Sequence, residues 1–140
     1  MPSGYSGTPL PRKLGFTDDT RLVVLGEPAD YGALLGEWPA GLERMRAVTK
    51  STTLVHLFVT ERAVLATQLK SLRARLNPEA SVWVSWPKKA SKVPTTVTED
   101  TIRELALPLG FVDVKVCAVS EVWSGLKLVV RKELRSRDAV

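Results

Sequence analysis

The residues best placed to do chemistry follow a hydrophobic run. Val82-Trp83-Val84-Ser85-Trp86-Pro87 leads into Lys88, Lys89, Ser91 and Lys92. Ammonium groups and a serine hydroxyl are donors of the kind that hold phosphate or carboxylate. No glycine-rich phosphate-loop pattern accompanies them, so two readings stand: an anion-binding loop, or a charged loop that keeps an edge soluble. The single histidine, His56, lies between Val55 and Leu57, where a packed and hydrogen-bonded side chain is expected, and the single cysteine, Cys117, reads as an inert thiol inside another strand. One histidine and one cysteine make no metal set. A Ser/His/acid triad is unattractive because the only candidate base occupies a strand interior. Glu27 and Glu121 are loop carboxylates that can share an edge, at a separation the chain does not set. Trp86 and Trp123 suit the wall of a small-molecule pocket, or equally rim packing with a satisfied N–H.

The elements that must position these residues follow from apolar patterning. A Gly/Ser/Pro opening leads to a short helix with Thr8 as cap, Pro9 at its first position and Gly15 at its stop. Arg21–Leu25 reads as a buried strand closed by Gly26-Glu27-Pro28, and residues 29–45 as two helical pieces broken at Trp38-Pro39 and Gly41. Thr53–Val59 is nearly continuous in apolar residues, the texture of a strand covered on both faces. Glu61–Leu76 is a helix with Leu65, Leu69, Leu72 and Leu76 on one side. Ser81–Trp86 is the central strand, stopped by Pro87. A helix starts at Thr98 with Glu99 and Asp100 in its first turn, and Pro108 and Gly110 end it. Val112–Val119 and Leu126–Arg131 are the last strands, with 133–140 a charged tail.

Strand–helix alternation predicts one α/β domain, residues 21–132 behind an N-terminal segment 1–20. Its sheet is five-stranded and mostly parallel. The short last connection predicts an antiparallel final strand, and the expected order along the sheet is 1-2-3-5-4. In such a sheet the loops after each strand gather along one edge. Tyr5, Ser6, Thr8, Glu27, Trp86, Lys88, Lys89, Ser91, Lys92, Glu121, Trp123 and Ser124 are therefore expected to share one ligand or partner surface.

The 140 residues suit one domain with a real core. A net charge of +5 permits an anionic partner without demanding one. The basic residues are dispersed and no aromatic-rich RNA motif occurs, which argues against nucleic acid. One cysteine excludes an internal disulfide and points to a reducing compartment. With no apolar leader and no run near the roughly 20 residues of a membrane span, a cytoplasmic protein is expected, with no membrane association.

Two resemblances add to this reading. Residues 54–131 resemble the C-terminal part of a class I methyltransferase domain: strand, helix, strand after Asn77-Pro78, helix ending in Gly110-Phe111, then a final hairpin. That likeness implies that the last strand inserts between Ser81–Trp86 and Val112–Val119. The first-strand turn is Gly26-Glu27-Pro28-Ala29-Asp30, with proline and carboxylates where that family has glycines, which predicts no specific binding of S-adenosylmethionine. The stretches Gly4–Leu10, Trp83–Ser91, Val114–Ala118 and Glu121–Lys127 resemble the signatures of a bacterial, mostly actinobacterial, family of unknown function (number 3052). That likeness implies a small stand-alone cytoplasmic protein and carries over no catalytic residues or cofactor. Lacking a base, a metal set and a cofactor loop, the chain is expected to be a non-enzymatic regulatory or adaptor protein binding a protein partner or an anionic small ligand. The alternative is a transferase-like enzyme using the Lys88–Lys92 loop.

Overall fold

The computed structural model describes residues 8–138. In chain order the elements are α1 (Leu10–Lys13), β1 (Arg21–Leu25), α2 (Tyr31–Leu35), β2 (Glu43–Arg44), β3 (Leu54–Phe58), α3 (Arg62–Arg75), β4 (Ser81–Pro87), α4 (Glu99–Ala106), β5 (Phe111–Ala118), β6 (Trp123–Val130) and α5 (Lys132–Asp138). Single 3-10 turns cover Lys89–Ser91 and Leu107–Leu109.

One six-stranded sheet runs β2-β1-β3-β4-β6-β5. β1, β2, β3 and β4 are parallel, and β6 lies antiparallel between β4 and β5. The five-strand expectation is corrected by β2: Glu43 and Arg44 add an outer strand to β1, within a stretch expected to be helical. Only α2, five residues long, is helical there. Gly36, at a φ of 73°, ends it, and Pro39 and Gly41 keep the following segment irregular. At the C-terminus, where a charged tail was expected, Lys132–Asp138 is helical and Leu134 packs on the core.

The sheet parts two layers. On one face α3 and α4 set Leu65, Leu69, Leu72, Ile102 and Ala106 against Val55, Leu57, Val82, Val84, Leu126 and Leu128. Fully burying each large aliphatic is worth about 1.5–3 kcal/mol. On the other face α1 and α2 cover the sheet with Leu10, Leu14, Tyr31 and Leu35 against Leu22, Leu54, Phe58 and Trp83. Trp83 is fully buried there and its indole N–H donates to the Leu14 carbonyl at 2.8 Å, fastening the thin layer to the central strand. β3 is buried at every position because both faces are covered.

Candidate functional site

At the C-terminal end of β4 the chain leaves the sheet at Pro87, which ends the ladder for want of an N–H. The Lys88 N–H donates to the Val122 carbonyl at 2.7 Å, which ties this exit to the β5–β6 turn. The 3-10 turn that follows closes on Lys92, the only described residue other than glycine at positive φ, 62°. A lysine held in the left-handed region is unfavourable by itself and points to a backbone set by its surroundings. Residues 95–97 then return to the sheet edge. The Thr95 hydroxyl and the Thr96 N–H both donate to the Thr60 carbonyl, at 2.8 and 2.9 Å. Between this returning segment and the start of α4 lies a cleft of about 530 Å³, within the size range of small-molecule sites.

Trp86, Pro87, Val93 and Val97 line the cleft with apolar surface, and Lys89, Lys92, Thr95, Thr98 and Glu99 add polar groups. Most of the polar groups are already engaged. Thr98 caps α4, accepting from the Thr101 N–H at 3.2 Å, with the two threonine hydroxyls 2.9 Å apart. Thr95 donates to Thr60 and accepts from the Val97 N–H at 3.0 Å. Glu99 is held by Arg103, which also reaches Asp113 on β5 at 3.0 Å. The lysines differ. Among the described residues no carboxylate pairs with Lys88, Lys89 or Lys92, whereas Arg21, Arg44, Arg62, Arg103 and Arg131 all have acidic partners. The cleft therefore carries two lysines without an acidic partner among the described residues, beside apolar surface and polar groups that are mostly engaged within the chain.

The opposite face of the sheet holds an enclosed polar chain. His56 is fully buried in β3, with Tyr31 Oη 2.9 Å from Nδ1 and Ser85 Oγ 2.8 Å from Nε2. One ring nitrogen donates and the other accepts, and either tautomer is satisfied because both partners are hydroxyls. Burial lowers the histidine pKa to about 3, so the ring is neutral, and burial raises that of Tyr31 above its ordinary value. Phe58 and Tyr31 pack edge-on at 5.5 Å and Phe58 and Trp123 at 5.0 Å, which encloses the ring. The Ser85 hydroxyl beside His56 is 0% exposed and offers no nucleophile to solvent. Cys117 is half-buried, and burial pushes its thiol pKa up, away from the reactive range.

The turn after β1 forms a third feature. Gly26 takes a φ of 68°, and a Cβ there would stand 2.3 Å from the Phe58 carbonyl oxygen. Its glycine serves the chain's own packing. Glu27 pairs with Arg44, whose guanidinium lies 5.8 Å from the Tyr31 ring centre and 5.9 Å from that of Trp38.

The residues singled out in the sequence divide accordingly. Trp86, Lys89 and Lys92 meet at the β4 cleft. Lys88 and Ser91 shape its loop, the Ser91 hydroxyl donating to the Lys88 carbonyl at 2.6 Å. The sheet parts two of the aromatic residues expected on one surface. Trp86 belongs to the α3/α4 face, whereas Trp123 packs on Phe58 across the other face. Trp123 and Ser124 belong to β6 rather than to a loop, paired with Pro87 and Trp86. Glu121 is exposed in the β5–β6 turn, Glu27 is engaged by Arg44, and Thr8 is half-buried ahead of α1. Tyr5 and Ser6 lie outside the described residues. Val93, Val97 and Glu99 were missed as lining. Their signal is weak, since only the return of 95–97 to Thr60 brings them to the lysine loop.

Among the described residues no group of three or more His, Cys, Asp and Glu side chains is arranged to hold a metal ion, and no helix is long and apolar enough to cross a membrane. No protein-family model matches the chain, and no curated protein matches it either. Solved structures do. A putative type 11 methyltransferase from Sulfolobus solfataricus superposes with a TM-score of 0.61 at 11% identity, over 88% of this chain and 90% of that one. The fold is that of class I methyltransferases. Fibrillarin from Aeropyrum pernix, in complex with S-adenosyl-L-methionine, matches at a TM-score of 0.52 and 10% identity over 90% of this chain and 70% of its own. A riboflavin-derivative dimethyltransferase from Streptomyces davawensis matches at 0.53 and 13%, over 80% of this chain and half of its own length.

These likenesses overturn the expectation of a non-enzymatic regulatory or adaptor protein, because the architecture is one that methyltransferases carry.

S-adenosylmethionine, the cofactor implied by the fold, does not fit the residues at the β1 turn. After β2, from Met45 to Thr60, the chain has no acidic residue to accept the ribose hydroxyls, and Arg46 is a cation there. Of the turn's two carboxylates, Glu27 is already paired with Arg44 and Asp30 stands at the N-terminus of α2. Pro28 withholds an N–H from the loop.

Proposed function

We propose that this chain is a transferase-like enzyme that holds an anionic small substrate at the C-terminal end of β4, against the Lys88–Lys92 loop. The observation that carries this reading is the pair of lysines, Lys89 and Lys92, that have no acidic partner among the described residues and line a cleft of about 530 Å³. In an open α/β sheet ligands bind outside the carboxyl ends of the strands near the point where strand order reverses; here that point lies between β1 and β3, with β4 the next strand, and the left-handed backbone of Lys92 supports a functional constraint on that loop. As part of the same reading the enzyme works in the cytoplasm, supported by its lone cysteine. The motif stretches Gly4–Leu10, Trp83–Ser91 and Val114–Lys127 support membership of the bacterial family of unknown function.

The test is turnover of small organic anions with a set of group donors, S-adenosylmethionine among them, read by mass spectrometry of the products. The expected result is a new product whose rate falls at least tenfold in the Lys89→Ala/Lys92→Ala double variant, with its thermal unfolding unchanged. Absence of product in every combination would sink the enzyme reading. Equal rates in the double variant would move the site elsewhere.

A further inference from the structure

We propose that the β4 cleft selects a hydrophobic organic acid, an apolar body carrying one carboxylate, and rejects sugar phosphates and nucleotides. This rests on the reading above for the location of the site and adds the class of ligand. The selection follows from which polar groups in the cleft remain available.

A sugar or a nucleobase has many hydroxyl, amide or ring-nitrogen groups, each of which loses its water on entering a pocket and needs a partner there. The β4 cleft has few partners left. Thr95 and Thr98 spend their hydroxyls on the Thr60 carbonyl and on the α4 cap, and Glu99 has one carboxylate oxygen, Oε2, on Arg103. What remains is chiefly the apolar lining of Trp86, Pro87, Val93 and Val97, of which Val97 is 1% and Trp86 8% exposed, and the two ammonium groups without an acidic partner among the described residues. Glu99 and Asp100 at the first turn of α4 are acidic and turn an anion away from that side, so charge recognition belongs to Lys89 and Lys92. One polar end and one apolar end leave a single orientation for the ligand. Its carboxylate meets the lysines, which supply charge-assisted hydrogen bonds. Its body lies along Val93 and Val97.

Isothermal titration calorimetry on the full chain tests this with 2-naphthoate, its neutral amide, glucose 6-phosphate and adenosine monophosphate. Saturable binding of 2-naphthoate is expected, at least tenfold weaker binding of the amide, and none of the two phosphates. Lys92→Gly removes one charge while suiting the left-handed backbone, and Lys89→Ala removes the other; the pair together should weaken 2-naphthoate at least tenfold. Val93→Asp, at an exposed position on the apolar rim, should weaken it as well. Tighter binding of either phosphate than of 2-naphthoate overturns the proposal, as does equal binding of the amide or no binding of any probe. Binding of 2-naphthoate without turnover of any acid sinks the enzyme reading and leaves this one standing. Turnover of a sugar phosphate does the reverse.

Discussion

His56 makes the folding equilibrium a pH meter. It is the only histidine of the chain, it is fully buried, and its pKa is lowered to about 3 by burial from an ordinary value of 6.5. Between these values the unfolded chain binds a proton that the folded one refuses, so stability rises with pH. The contribution is complete above pH 6.5 and is lost progressively as pH falls toward the folded value. With each pH unit worth at most about 1.4 kcal/mol per proton, the loss from pH 7 to pH 5 comes to about 2 kcal/mol. That is a large part of a total of roughly 5–15 kcal/mol for a domain. Carboxylates titrate mainly below this window, which isolates the histidine. Urea unfolding followed by tryptophan fluorescence at pH 7, 6 and 5 measures the slope. The control is His56→Gln, which keeps hydrogen-bonding groups between Tyr31 and Ser85 and removes the titration. It should be less stable at pH 7 and nearly flat in pH. A change under about 0.5 kcal/mol between pH 7 and pH 5, or an equal slope in His56→Gln, refutes the burial argument.

Two further outcomes bear on the elements around the sites. Gly26→Ala forces a left-handed backbone on a side chain and drives its Cβ to 2.3 Å from the Phe58 carbonyl oxygen, and should lose about 3 kcal/mol in a denaturant titration; a loss under about 1 kcal/mol would mean that the turn relaxes freely. Thr98→Ala removes the capping hydroxyl of α4 and should cost about 1 kcal/mol, with faster amide exchange confined to the first turn of that helix; unchanged exchange there would show that the cap contributes nothing.

Much of the fold was legible because it is written in short-range pattern. The continuous apolar run at Leu54–Phe58 requires cover on both faces, and the structure buries all five positions. The period of Leu65, Leu69 and Leu72 makes a helix with one buried side, and the brief β5–β6 connection makes a hairpin. The edge strand β2 was not legible. Glu43 and Arg44 have no strand texture, and they pair with Arg21 and Leu22 only because β1 presents an open edge there.

The site shows the same division. Composition and order alone set a proline-stopped strand and three lysines after it. Tertiary structure decided which of those features meet. Pleating sends Trp86 to the α3/α4 face and Trp123 to the other, since successive side chains of a strand point to opposite sides. Only the return of residues 95–97 to the Thr60 carbonyl turns the lysine loop into the wall of a cleft. Which charges cancel is also a matter of space: Arg103 reaches Asp113 across ten positions of sequence, and Arg44 reaches Glu27 across seventeen, while Lys88, Lys89 and Lys92 find no acid among the described residues. Ion pairing depends on distances of a few ångströms between elements far apart in the chain, and the linear order of residues does not contain them.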